Sequence, residues 1–280
     1  MAAYEIMESC ELCPRMCRVN RLNEEKGLCG VGSKAVVSSA CPHFGEESVL
    51  VGYGGSGTIF FTGCNLGCVF CQNYDISQLH HGNEVEIEVL VNMMLKLQGQ
   101  GCSNINFVTP THVVPHILES VYIAREKGLN IPTVYNCGGY ESIESLKLLE
   151  GTIDIYMPDA KNMDPVASKK YSFAQDYPEV MKAALKEMHR QAGDLKIENG
   201  LAVRGLLVRH LVMPDNVADS KDIINFLADE ISRNTFVNVM EQYRPAFKAH
   251  NYAEINRRLT YEEFNEVYEY AKERGLRLAD

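Results

Sequence analysis

"TIFFTGCNLGCVFCQN" (residues 58–73) starts as a β-strand and ends as a metal-ligand loop. Thr58, Ile59, Phe60 and Phe61 form a β-branched and aromatic run between Gly57 and Gly63, which reads as a short buried strand. Cys64, Cys68 and Cys71 follow with the spacing C-x3-C-x2-C. Thiolates on a tight loop bind zinc or an iron–sulfur cluster, and Gly63 and Gly67 let the backbone wrap the metal. A structural zinc site closes with four ligands. Three thiolates suit a cubane cluster that leaves one iron open to a cofactor or substrate.

Working outward, the strand at 58 is the first of six. Further strands are expected to begin at 104, 131, 152, 204 and 235, and helices are expected over 84–101, 113–128, 142–151, 178–193, 220–232 and 260–275. In the first of these helices the spacing puts Val85, Val89, Met93 and Leu97 on one face. Strand–helix alternation predicts parallel strands with right-handed crossovers. The fold class is therefore α/β, an incomplete (β/α)6 TIM-like barrel, with function on the loops after the strand C-termini. Polar segments do follow the strands: "TPTH" (109–112), "NCGGYES" (136–142), "MPDAK" (157–161), "MPDN" (213–216) and "EQYRP" (241–245).

Before the barrel, Cys10, Cys13, Cys17 and Cys29 offer four thiols, enough for a closed tetrahedral site or a second [4Fe-4S] cluster. Cys41 is an alternative ligand. Residues 1–50 read as a cysteine-rich metal-binding module with little apolar core, and residues 51–280 as the barrel domain. The chain has 280 residues, 46% of them hydrophobic, and a net charge of −10. That acidity argues against nucleic acid or an anionic membrane as partner. No apolar run approaches the roughly 20 residues a membrane helix needs, and the start "MAAYEIMESCELC" lacks the features of a signal peptide. A cytoplasmic location follows, and ten cysteines there point to metal or redox chemistry rather than disulfides.

"FFTGCNLGCVFCQN" (60–73) resembles the signature of radical S-adenosylmethionine enzymes. The resemblance implies that Cys64, Cys68 and Cys71 hold a [4Fe-4S] cluster whose open iron binds S-adenosylmethionine. It implies reductive cleavage of that cofactor and hydrogen-atom abstraction by the 5′-deoxyadenosyl radical. Phe70, just before the third cysteine, is then expected near the adenine, and "CQN" with Asn73 is similar to the C-x-N of pyruvate formate-lyase activating enzymes. "CELCPRMCRVNRLNEEKGLCGVG", "NCGGY", "MPDAK", "EMHRQAG", "RGLLVRHLVMP" and "VNVMEQYRP" extend the resemblance, over the whole chain, to uncharacterised iron–sulfur proteins related to those activating enzymes. The superfamily's usual glycine-rich "GGE" after the second strand is replaced here by Thr109-Pro110-Thr111-His112.

The candidate cofactor-binding residues are Phe70, Asn73, Thr109, Thr111, Asn136, Asp159, Lys161 and Arg209. Thr hydroxyls accept from an ammonium, although Thr111 also suits a helix cap. Asp159 and Lys161 match an Asp-x-Lys of activating enzymes, with a surface ion pair as the alternative. Arg209 and His210 interrupt an apolar run, and alternation sends one inward and the other outward. Cys137 is the candidate catalytic thiol, and an inert buried cysteine is its alternative. Gln242, Tyr243 and Arg244 close the last strand, while His189, Arg190 and Gln191 either line a substrate channel or form a solvated helix face.

Two functions fit these features. One is a radical S-adenosylmethionine oxidoreductase acting on an unidentified protein glycine, peptide or small molecule. Its partners would be a flavodoxin or ferredoxin reductant, with a glycyl-radical-enzyme activase as one form. The other is a non-catalytic scaffold with structural metal sites, zinc at the N-terminal cysteines among them.

Overall fold

A computed structural model describes residues 2–279. Its frame is one sheet of ten strands. They are β1 (Ala35–His43), β2 (Ser56–Phe61), β3 (Asn83–Val85), β4 (Ile105–Val108), β5 (Thr133–Cys137), β6 (Ile155–Pro158), β7 (Lys196–Glu198), β8 (Leu201–Leu211), β9 (Phe236–Met240) and β10 (Arg277–Leu278). The order across the sheet is β10-β9-β8-β6-β5-β4-β2-β1-β3, with β7 paired to β8 off this path. The six strands expected from the sequence, β2, β4, β5, β6, β8 and β9, are consecutive neighbours and all parallel. The α/β, TIM-like architecture with an incomplete barrel is thus as expected.

Four strands lie outside the six expected. β1 runs antiparallel to β2 and carries β3 on its far side, while β7 forms a short antiparallel pair with β8 and β10 extends the other edge in parallel. β1 comes from the stretch expected as a separate module over residues 1–50, yet it hydrogen-bonds directly into the barrel sheet. Its Cys41 lies opposite Thr58 in that ladder, on a different part of the chain from the other N-terminal cysteines.

The helices sit between the strands. The first major one spans Ile87–Gly99 and buries Leu90, Val91, Met94 and Leu97. The expected face of Val85, Val89, Met93 and Leu97 is corrected on this point. Val85 belongs to β3, and Val89 is 41% exposed. With the helix beginning at 87, the buried stripe runs at spacings of three and four from Leu90. An additional helix, Pro165–Ser172, precedes Tyr177–Ala192 in the long β6–β8 connection. The core lies between the sheet and these helices and includes Ile59, Phe61, Phe107, Tyr135, Tyr156 and Val208.

Candidate active site at the strand C-termini

All six parallel strands deliver residues to one cavity of about 240 Å³. The loop after β2 supplies Cys64, Cys68, Phe70, Cys71 and Asn73. Thr109 follows β4, Asn136 and Cys137 end β5, Asp159 and Lys161 follow β6, Arg209 lies on β8, and Gln242 follows β9. A parallel barrel places such groups together because every strand ends at the same rim.

The three thiols form one wall, and each has a hydrogen-bond partner. The Leu66 N–H donates to Cys64 Sγ at 3.3 Å. Cys68 Sγ lies 3.2 Å from Ser172 Oγ, and Cys71 Sγ lies 3.2 Å from Ser77 Oγ. Burial pushes the Cys64 and Cys68 thiols up from their ordinary values, so without a metal they hold their protons. A bound metal or cluster would supply the positive charge that makes them thiolates. Among the described residues no three Cys, His, Asp or Glu side chains are grouped closely enough for a single ion. Gly63 is required in this loop: its φ is 79°, and a Cβ there would stand 2.3 Å from the Cys29 carbonyl oxygen.

Next to the thiols lies a compact charge group. Arg209 Nε donates to Asp159 Oδ1 at 2.9 Å, its Nη2 donates to Asn136 Oδ1 at 2.7 Å, and Lys161 Nζ donates to Asp159 Oδ2 at 2.6 Å. Glu46 stands 3.8 Å from Arg209 Nη1. Burial opposes the charge on Asp159, but Arg209 and Lys161 outweigh it and hold the carboxyl below its usual value. Burial likewise opposes the charge on Lys161, and the Asp159 carboxylate reverses the effect and raises it. Asp159, Lys161 and Arg209 therefore stay ionised at neutral pH.

The alternation on β8 is resolved: Arg209 turns into the cavity and His210 turns away. His210 is fully buried between Ala160 O at 2.7 Å and Ser220 Oγ at 2.8 Å. Thr109 takes a φ of 58°, strained for a β-branched residue, and donates its N–H to Asn136 O. Thr111 does not line the cavity. It is buried and donates to Glu141 Oε1 at 2.8 Å, because a turn of 3₁₀ helix over Thr111–Val113 points it away. Cys137 lines the wall and is buried beside Glu141, with burial and that carboxylate raising its thiol far above the ordinary value.

Other expected candidates lie elsewhere. His189 pairs with Asp194, Arg190 with Glu150 and Glu187, and Gln191 with Tyr156 and Leu146. These three belong to an outer helix and line no channel to the cavity. Tyr243 is buried with its hydroxyl on Ile255 O, and Asp215 of "MPDN" pairs with Arg257. Glu46, Ser77 and Ser172 were not expected. Glu46 arrives from the β1–β2 connection, and the serines sit outside the cysteine spacing, so no local signal marks them.

A model of the radical SAM superfamily matches residues 58–227. One uncharacterised protein of Methanocaldococcus jannaschii is 35% identical over 99% of this chain and 78% of its own length. A second from the same organism is 28% identical over 85% of this chain and 71% of its own length. Among solved structures, methylornithine synthase (PylB) is similar at a TM-score of 0.53 with 14% identity, covering 79% of this chain and 63% of that one. HydG, a maturase of the [FeFe]-hydrogenase, is similar at 0.52 with 13% identity, covering 78% and 49%. The protein anSMEcpe, solved with bound AdoMet and a Cp18Cys peptide, is similar at 0.52 with 11% identity, covering 76% and 56%. The chain thus spans about half to two thirds of these structures, and at such identities they show a common fold.

Proposed function

This chain belongs to the radical SAM superfamily, and from that premise we propose that it binds a [4Fe-4S] cluster through Cys64, Cys68 and Cys71. It cleaves S-adenosylmethionine reductively and removes a hydrogen atom from a substrate at the same rim. The observation that carries this reading is the sharing of one cavity by the three-thiol wall and the Asp159–Lys161–Arg209 group. The donor set fits both groups: three thiols on one loop, and beside them fixed cations and acceptors suited to an amino acid's carboxylate and ammonium.

When bound, the cluster and S-adenosylmethionine supply one-electron cleavage and hydrogen-atom abstraction. The chain's own residues orient and protect that chemistry. Lys161 and Arg209 present cationic donors to a carboxylate, held in place by Asp159. Asn136 and Asp159 offer oxygens to an ammonium. Phe70, buried at the cavity wall and edge-on to Tyr243 with ring centres 6.3 Å apart, gives an adenine a fixed apolar surface. Leu211 and Met240 keep the inner wall apolar and exclude water from the reacting atoms.

By its C-x-N and Asp-x-Lys segments the enzyme is of the pyruvate formate-lyase activating type. Its substrate is a protein glycine, a peptide or a small molecule, and a flavodoxin or ferredoxin supplies the electron. The test is anaerobic reconstitution with iron and sulfide, reduction, addition of S-adenosylmethionine, and assay for 5′-deoxyadenosine. The wild type should form it and Cys71→Ala should not. A cluster whose spectrum ignores S-adenosylmethionine, with no product, would make the non-catalytic metal scaffold the better account.

A further inference from the structure

One assembled group of side chains lies outside the cavity just described. Cys10, Cys13, Cys17 and Cys29 all line a single small cavity, together with Arg21 and His112. Cys10 and Cys29 are buried, Cys13 and Cys17 half-buried, and none is in a disulfide. The loop is bent to present them. Met16 and Arg18 adopt left-handed backbone at φ 43° and 55°. Gly27 approaches so closely that a Cβ there would stand 2.8 Å from Cys17 Sγ.

Arg21 is the second, independent observation. It is 0% exposed. Its Nε donates to Gly32 O at 3.0 Å and its Nη1 to His112 O at 2.7 Å, with Cys10 Sγ at 3.9 Å. Its Nη2 has no partner among the described residues, nor does any carboxylate there pair with it. A buried guanidinium without a counter-charge is strongly unfavourable. The cavity it lines is where the missing negative charge belongs, and four thiolates on a metal supply it.

The position of the site favours a cluster over a structural zinc, because it adjoins the loop of Cys64, Cys68 and Cys71. Cys29 O packs against Gly63, Leu28 and Cys64 line a common cavity, and Arg15 Nε donates to Asn65 O at 2.8 Å.

We propose that Cys10, Cys13, Cys17 and Cys29 hold a second [4Fe-4S] cluster, with Arg21 as its buried counter-ion, and that this cluster passes electrons to the site at Cys64, Cys68 and Cys71. Four thiolates close every iron, so the second cluster binds no substrate and serves as a relay. A low-potential one-electron donor of the flavodoxin or ferredoxin class gives it one electron, and it gives one on, with no bond made or broken. The relay role rests on the proposed function; the metal site does not.

The deciding experiment uses the full chain with Cys64, Cys68 and Cys71 all replaced by Ala, reconstituted anaerobically. It should keep about four irons and four sulfides per chain against about eight of each in the wild type, and show a [4Fe-4S] signal in electron paramagnetic resonance that S-adenosylmethionine leaves unchanged. One zinc per chain, or no metal in a folded variant, would overturn the cluster. If circular dichroism shows the variant unfolded, the wild-type iron count of about eight or about four decides. For the relay, Cys13→Ala/Cys17→Ala should keep dithionite-driven formation of 5′-deoxyadenosine and lose at least tenfold of the flavodoxin-driven rate. Loss of neither rate, or equal loss of both, rejects the relay. A wild type that makes no 5′-deoxyadenosine at all rejects the proposed function, while the iron count still decides the second cluster.

Discussion

Arg209 is tied to Asp159, Asn136 and Glu46 at once, which needs the planar fork of a guanidinium. Lysine cannot reach Asp159 and Asn136 together. Arg209→Lys should therefore leave the fold intact and weaken S-adenosylmethionine binding to the reconstituted protein by roughly tenfold, about 1.4 kcal/mol, as read by isothermal calorimetry. Unchanged affinity would remove Arg209 from the cofactor site. Ser77 acts on the thiols from behind, with its hydroxyl against Cys71 Sγ. Hydrogen bonds to sulfur favour the more negative, reduced state of a cluster. Ser77→Ala should shift the reduction potential of the Cys64/Cys68/Cys71 cluster to a more negative value in a redox titration followed by electron paramagnetic resonance, with iron content unchanged. Cys64, Cys68 and Cys71 were visible from spacing alone, whereas Ser77 and Ser172 were not. A hydroxyl next to a sulfur in space leaves no pattern in sequence when it lies 104 residues away, as Ser172 does from Cys68.

Among the elements, the helix Pro165–Ser172 shows how local chemistry serves the site. Asp164 caps it by accepting from Val166 N and Ala167 N, and Pro165 occupies its first turn. Its far end delivers Ser172 to Cys68 and packs Phe173 against Gly67. Asp164→Ala should lower stability by about 1 kcal/mol, and Asp164→Asn by much less, as measured by chemical denaturation. Equal losses would show that the cap does not hold this helix. The six parallel strands were legible because each is a short apolar run between turn residues, and the opposite fates of Arg209 and His210 follow from strand alternation. The buried face of Ile87–Gly99 was misplaced because Val85 looks helical by spacing yet is claimed by β3, which pairs with β1 from far earlier in the chain. Pairing partners, unlike periodicity, are not local.

For the molecule as a whole, pH bears on stability through buried histidines, His112 and His116 among them, and through His210, which joins β8 to the helix Ser220–Phe226. Burial lowers the His210 value to about 4, against the pull of Ala160 O. The folded protein thus favours the neutral ring. The contribution is fully present above the unfolded value near 6.5 and is lost as pH falls through about 4. Unfolding free energy should drop across that window, by at most about 3 kcal/mol from this residue, in urea titrations at stepped pH. His210→Gln should make the dependence shallower, with His112 and His116 keeping the rest, and an unaltered slope would assign it wholly to other groups. The sequence was sufficient for the parallel α/β frame, the three-thiol loop and the rim on which chemistry gathers, because apolar periodicity, turn residues and ligand spacing are all written along the chain. Folding alone settled that Arg209 rather than His210 meets Asp159, that Thr111 turns to Glu141, and that Arg21 is buried at the cavity lined by Cys10, Cys13, Cys17 and Cys29. Those outcomes depend on strand order and on burial, which bring together groups that nothing along the chain connects.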